Sequence, residues 1–179
     1  MTPTEVQYLL SAPNADQGYT SPGSVYNSNG MYCSTTQVNS EVSLDNLFPD
    51  VTGPQNAAGQ VDYQCVFVYN SDTTDAMTNC MAWIPVSSLT SGALEWAIAA
   101  DPTGVSNYNV TSQQAVEIAS PYVAPSGVTS WSAPSSTVSG GIALGTINAR
   151  QVYPLWIRRT ATGVSAAPAG FDLYVTFDV

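Results

Sequence analysis

Apolar residues recur at every second position along much of this chain, and that spacing restricts it to a strand-built fold. A strand sends successive side chains to opposite faces, so a period of two gathers one set of side chains on a single face. Phe171, Leu173, Val175, Phe177 and Val179 alternate with Asp172, Tyr174, Thr176 and Asp178, the pattern of a half-buried strand. Between Val61 and Tyr69, the positions Val61, Tyr63, Cys65, Phe67 and Tyr69 share a face. Leu94, Trp96 and Ile98 alternate with Glu95, Ala97 and Ala99, and Tyr153, Leu155 and Ile157 with Val152, Pro154 and Trp156. Pro154 has no N–H to give to a ladder, so its strand is expected at an edge or bulged there.

Connectors rich in Pro, Gly, Ser and Asn separate these runs, as in Pro49–Gly59, Asp101–Asn109 and Pro121–Gly127. Strands are expected near Tyr26–Gln37, Val61–Asn70, Cys80–Val86, Ala93–Ala99, Gln114–Ala119, Gly127–Trp131, Ile142–Ile147, Val152–Thr160 and Phe171–Asp178. Thr111–Ala119 would also suit a short helix, but Val116 and Ile118 flank Glu117 and favour a strand. The fold class expected is all-β: an antiparallel, jelly-roll-like β-sandwich of about eight or nine strands. Residues 1–30 read as an extended N-terminal arm lying over a neighbouring surface, and residues 31–179 as a single sandwich domain.

Composition narrows the chemistry. The 179 residues are 44% hydrophobic, enough to bury one core, yet only 9% are charged. Histidine and lysine are both absent, which removes imidazole bases, Ser-His and Cys-His pairs, Schiff bases and P-loop lysines. The net charge of −10 repels phosphate backbones, so no nucleic-acid partner is expected. No apolar run approaches the roughly 18 residues of a membrane span, and the first residues lack the basic start of a secretory signal.

Cys33, Cys65 and Cys80 lack zinc-site spacing, and their odd number argues against a disulfide framework. Cys65 and Cys80 lie on runs that could pair as a hairpin. Buried thiols there are favoured over a bridge. Asn70-Ser71-Asp72-Thr73-Thr74-Asp75 gathers oxygen ligands that could hold calcium, but its spacing fits a polar turn better. Paired carboxylates for glycoside hydrolysis have no visible partners among Glu95, Glu117, Asp172 and Asp178. No cofactor, no metal and no catalytic residue is expected.

Aromatic residues divide into two sets. Tyr63, Phe67, Trp96 and Trp156 lie in alternating runs and are assigned to the core. Tyr19, Tyr26, Tyr32, Tyr108 and Tyr122 lie in turn-rich stretches and are candidate interface contacts. All three basic residues, Arg150, Arg158 and Arg159, fall within ten positions. They are either a docking anchor for carboxylates or the intramolecular partners of the chain's own acids.

Two stretches carry a resemblance. Asn46-Leu47-Phe48-Pro49-Asp50-Val51-Thr52 followed by Gly59 to Asn70, and Ile142-Ala143-Leu144-Gly145 with Leu155 to Thr160 and the run Phe171–Val179, are similar to a pattern in structural proteins of tailed bacteriophages. The resemblance implies a virion component: a β-sandwich on the outer capsid surface or in the tail, assembled in the host cytoplasm. Its implied partners are the major capsid protein or other virion proteins, and copies of itself in a homo-oligomer, with a trimer favoured. A head decoration or cement role, locking neighbouring capsomers, is the leading expectation. A tail or fibre module binding a host-surface glycan is the alternative, and a carboxylate glycosidase is the remote one.

Overall fold

The period-two runs form strands, and every strand pairing among the described residues is antiparallel. The computed structural model describes residues 5–13, 23–39, 46–90, 93–163 and 169–179. In chain order the elements are β1 (Val6–Ala12), β2 (Tyr32–Gln37), a one-turn helix α1 (Gly53–Ala57), β3 (Val61–Asn70), β4 (Met77–Trp83), β5 (Leu94–Ala100), β6 (Ser106–Asn107), β7 (Ile142–Ile147), β8 (Gln151–Ala161) and β9 (Tyr174–Asp178). Helix α1 starts on a capping box, with Thr52 Oγ1 accepting from the Gln55 N–H and the Gln55 side chain accepting from the Thr52 N–H. A larger sheet runs β2-β1-β3-β8-β5, with β6 also on β8, and a smaller one runs β7-β4-β9. The two sheets face each other as an all-β sandwich.

Between the sheets lies the first core. Val66 and Val68 of β3, Trp96 and Ile98 of β5, and Leu155 and Ile157 of β8 meet Met77, Cys80, Ala82, Leu144 and Ile147 of the smaller sheet, with Leu47 and Phe48. A second core lies on the outer face of the larger sheet. There Leu9, Cys33, Cys65, Phe67, Tyr69, Ala99, Val152 and Trp156 are covered by Ala115 and Ile118 from the long β6–β7 connection. Burial on both faces explains why Cys65 through Tyr69 is apolar without a break.

This second layer accounts for several departures from the pattern read in the sequence. Gln114–Ala119 and Gly127–Trp131 are not strands. The first meets the sheet side only at Ala115 opposite Met31, and the second only through the residue that follows it, Ser132, opposite Ile98; the Gln114 side chain instead accepts from the Cys33 N–H at 2.9 Å and donates to Asn107 O at 2.9 Å. The strand expected from Tyr26 begins only at Tyr32, because Gly30 (φ 89°) and Met31 (φ 72°) are left-handed. A Cβ on Gly30 would lie 1.8 Å from Val116 O.

The arm expected over residues 1–30 does not hold for Val6–Ala12. That segment is an internal strand between β2 and β3, with Leu9 and Leu10 buried. It therefore belongs to the same sandwich as residues 31–179. Residues 1–4 and 14–22 of the expected arm lie outside the described residues.

Pro154 lies in a central strand, not at an edge. It occupies the gap on β8 between the last β5 partner, Leu155, and the first β6 partner, Val152. Only the Asp101 N–H reaches across there, to Pro154 O at 3.1 Å, so the missing proline N–H has no ladder partner to lose. Cys65 and Cys80 do not share a hairpin, since β3 and β4 belong to different sheets. In β9 the alternation holds, but the strand is an edge: Phe171, Leu173, Val175 and Phe177 pack partly buried against the first core, and Val179 is 71% exposed.

Candidate binding surface

Along β8 the outer-face residues emerge from under the second layer toward its far end. Trp156 is fully buried, Arg158 is half-buried, and Tyr63, paired with Arg158 across β3, is half-buried too. Trp131, at the end of its connector, lies over this pair. Its ring is 4.9 Å from the Arg158 guanidinium carbon and 5.7 Å from the Tyr63 ring, at 51°. The edge of β3 that β1 leaves unpaired is taken up by loop backbone. Cys65 N–H donates to Ser28 O at 2.6 Å and Tyr63 N–H to Pro121 O at 2.7 Å. These two bonds set residues 26–28 and 121–123 side by side, and they carry Tyr26 (44% exposed), Tyr122 (56%) and Val123 (47%).

Ser28 is the centre of the polar network that pins this end. Its hydroxyl donates to Cys65 O at 2.5 Å and accepts from the Ser11 N–H at 2.7 Å, while its own N–H donates to Gln64 Oε1 at 2.8 Å. All three side chains are buried. The exposed tyrosines therefore stand on backbone that is hydrogen-bonded into the sheet.

The three arginines are not one anchor. Arg159 is buried: its Nε donates to Asp62 Oδ2 at 2.9 Å, Nη2 pairs with the same oxygen, Nη1 donates to Pro49 O at 2.6 Å, and the group lies 4.8 Å from the Phe48 ring. Of the two roles open to the arginines, it takes intramolecular pairing rather than docking, and it holds the 46–52 segment to the sheet. Arg150 is exposed and donates to Tyr69 Oη at 3.0 Å. Arg158 faces the opposite side of β8 from Arg159, as a period of two requires.

Among the tyrosines, Tyr26 and Tyr122 are exposed as expected. Tyr108 is half-buried and stacks on Tyr69 at 4.3 Å and 25°, and Tyr32 is half-buried in β2. Tyr19 lies outside the described residues. Trp131 was not singled out in the sequence, because it stands alone in a Ser- and Pro-rich connector with no periodic neighbour.

Asp72 and Tyr8 are engaged structurally. Asp72 Oδ1 accepts from Asp75 N–H at 2.9 Å and Thr74 N–H at 2.7 Å, closing the polar turn. Those bonds, the Asp75 one foremost, hold the Asp72 carboxyl down at about 2. Burial pushes the Cys33 and Cys65 thiols well above their ordinary range and Cys80 up to about 11. All three are free. Tyr8, pushed up to about 12 by burial, donates to Leu173 O at 3.2 Å and ties β1 to the segment leading into β9. Among the described residues no three acidic or thiol groups converge as a metal site, and no helix is long and apolar enough to cross a membrane.

Compared with protein families, with curated proteins and with solved structures, the chain has no match in any of the three.

Proposed function

We propose that this chain is a virion structural protein of a tailed bacteriophage, a head decoration protein that binds the capsid shell through protein–protein contacts. The observation that carries this reading is the end of the sandwich where Tyr26, Tyr122 and Val123 stand exposed on backbone tied to β3. Exposed aromatic groups on rigid backbone lose little side-chain freedom on docking, which suits a contact repeated over many lattice positions. Only 9% of the residues are charged, so a contact at this end is made largely through apolar and uncharged polar groups.

The test is stoichiometry and binding in purified virions made from the genome that encodes the chain. Hundreds of copies per particle, with occupancy reduced by the paired change Tyr26→Ser and Tyr122→Ser, are the expected result. Three to a few dozen copies would place the chain in the tail instead. Its absence from washed particles overturns the reading.

A further inference from the structure

We propose that Arg158, Trp131, Tyr63 and Tyr122 form a binding site for an acidic saccharide, a sugar ring that carries a carboxylate. Three observations lead there. Arg158 is held against the Trp131 ring at 4.9 Å, and stacking occupies the face of a guanidinium while its N–H donors lie along the edge. Among the described residues no acceptor is hydrogen-bonded to those donors, although Arg159 has two and Arg150 has one. Glu95, which sits opposite Thr160 on the neighbouring strand and so one rung from Arg158 on the same face, makes no ion pair with it. In a chain with 13 acidic residues, this is a cation left to an outside carboxylate.

The surroundings favour a sugar. Tyr63 stands in register beside Arg158, and Tyr122 is delivered to the same edge by the Pro121 O bond to the Tyr63 N–H. Their hydroxyls can meet sugar hydroxyls while the exposed Tyr122 ring offers a flat apolar face. A net charge of −10 disfavours a polyanion and suits isolated carboxylates in an otherwise neutral glycan. The site shares Tyr122 with the proposed capsid contact, but Arg158, Trp131 and Tyr63 lie outside that contact, and sugar binding and particle occupancy are read by separate measurements, so either proposal can fail alone.

The test titrates the full chain, by calorimetry and by NMR, with a tetrasaccharide of alternating glucuronic acid and N-acetylglucosamine. The same tetrasaccharide with its carboxyls reduced to hydroxymethyl groups, and a short neutral peptide with a free C-terminal carboxylate, are titrated in parallel. The acidic sugar is expected to bind, and the reduced sugar about tenfold or more weaker. Arg158→Lys, which keeps the charge and loses the planar fork, should lose about tenfold. Tyr122→Ser, at an exposed position that leaves the fold intact, should weaken binding several-fold. No binding of the acidic sugar, equal binding of the reduced sugar, or an undiminished Arg158→Lys affinity each overturns the site. Tighter binding of the peptide overturns it in favour of a protein contact.

Discussion

The indole N–H of Trp156 donates to Asp101 Oδ2 across 2.7 Å, with both side chains sealed from water. The same carboxylate accepts from Val116 N–H at 3.0 Å, Thr103 N–H at 2.9 Å and Thr103 Oγ1 at 2.6 Å. One buried carboxyl group thus fastens the turn after β5, the covering connection and the central strand β8. Asp101→Ala would strand three donors, two of them backbone, since Thr103 Oγ1 can turn to Gln114 O at 2.7 Å, and should destabilise the fold by about 3–5 kcal/mol. Trp156→Phe leaves the other three bonds in place and should cost about 1–3 kcal/mol. Denaturant melts read both, and equal losses would show that Asp101 acts only through the indole.

Gly30 and Gly104 separate two effects of a left-handed residue. Both have positive φ, 89° and 69°, but a Cβ on Gly30 meets Val116 O at 1.8 Å, and one on Gly104 meets nothing within 4 Å. Gly104→Ala should cost about 1–2 kcal/mol, the conformational penalty alone. Gly30→Ala must also move the covering layer and should cost about 3 kcal/mol or more. Thermal melts giving similar shifts for the two would show that the layer yields freely at Val116.

Acid sensitivity should be traceable in part to Asp72. Its carboxyl is held from the ordinary 3.8 down to about 2 by the backbone N–H groups of Asp75 and Thr74. A group depressed in the folded state binds fewer protons than in the unfolded chain. Its contribution is therefore complete above pH 3.8 and lost as pH falls through about 2. Asp72→Asn should flatten the fall in stability across that window and leave the neutral-pH slope unchanged. Melts from pH 5 to about 2 test this, and an unchanged acid limb would mean that other carboxylates carry it.

The thiols should be silent in the folded chain. Cys33 and Cys65 are fully buried in the outer core, Cys80 in the inner one, and burial keeps all three protonated at neutral pH. A thiol-disulfide reagent should find none in the native protein and three after denaturation without reductant. Fewer than three would reveal a bridge.

Phe177 tests the edge position of β9. Its side chain is only half-buried against the inner core, so Phe177→Ala should cost about 1–3 kcal/mol, below the range for a sealed phenylalanine. Asp178, exposed and bonded to Asn79 Nδ2 at 2.9 Å, should cost within about 0.5 kcal/mol on replacement by Ala. A one-residue slip of register would exchange the two results.

The strands that show a period of two, or lie between clear turn signals, were legible from sequence: Val61–Asn70 and Ile142–Ile147 match their observed bounds. Strand β1 was not, because Leu9 and Leu10 are consecutive and face different cores, which erases the alternation. The same double burial blurred the assignment of Gln114–Ala119, where Ala115 and Ile118 serve a chain that touches the sheet only intermittently. At the candidate surface, Arg158 and Tyr122 were marked by residue type, but Trp131 could not be tied to them. Its place over Arg158 depends on the fold of the connection that carries it, for which the sequence shows no local pattern.

The β3–β8 register also sets a timetable for synthesis. Cys65 meets Trp156, a partner made about ninety residues later, and at about 5–20 residues per second that is a wait of roughly five to twenty seconds. During it, β3 has β1 as its only strand neighbour, and the edge that β8 will take stays open. The larger sheet cannot be completed until β8 leaves the ribosome, so the nascent chain passes through a stage in which its most buried strand presents a free edge.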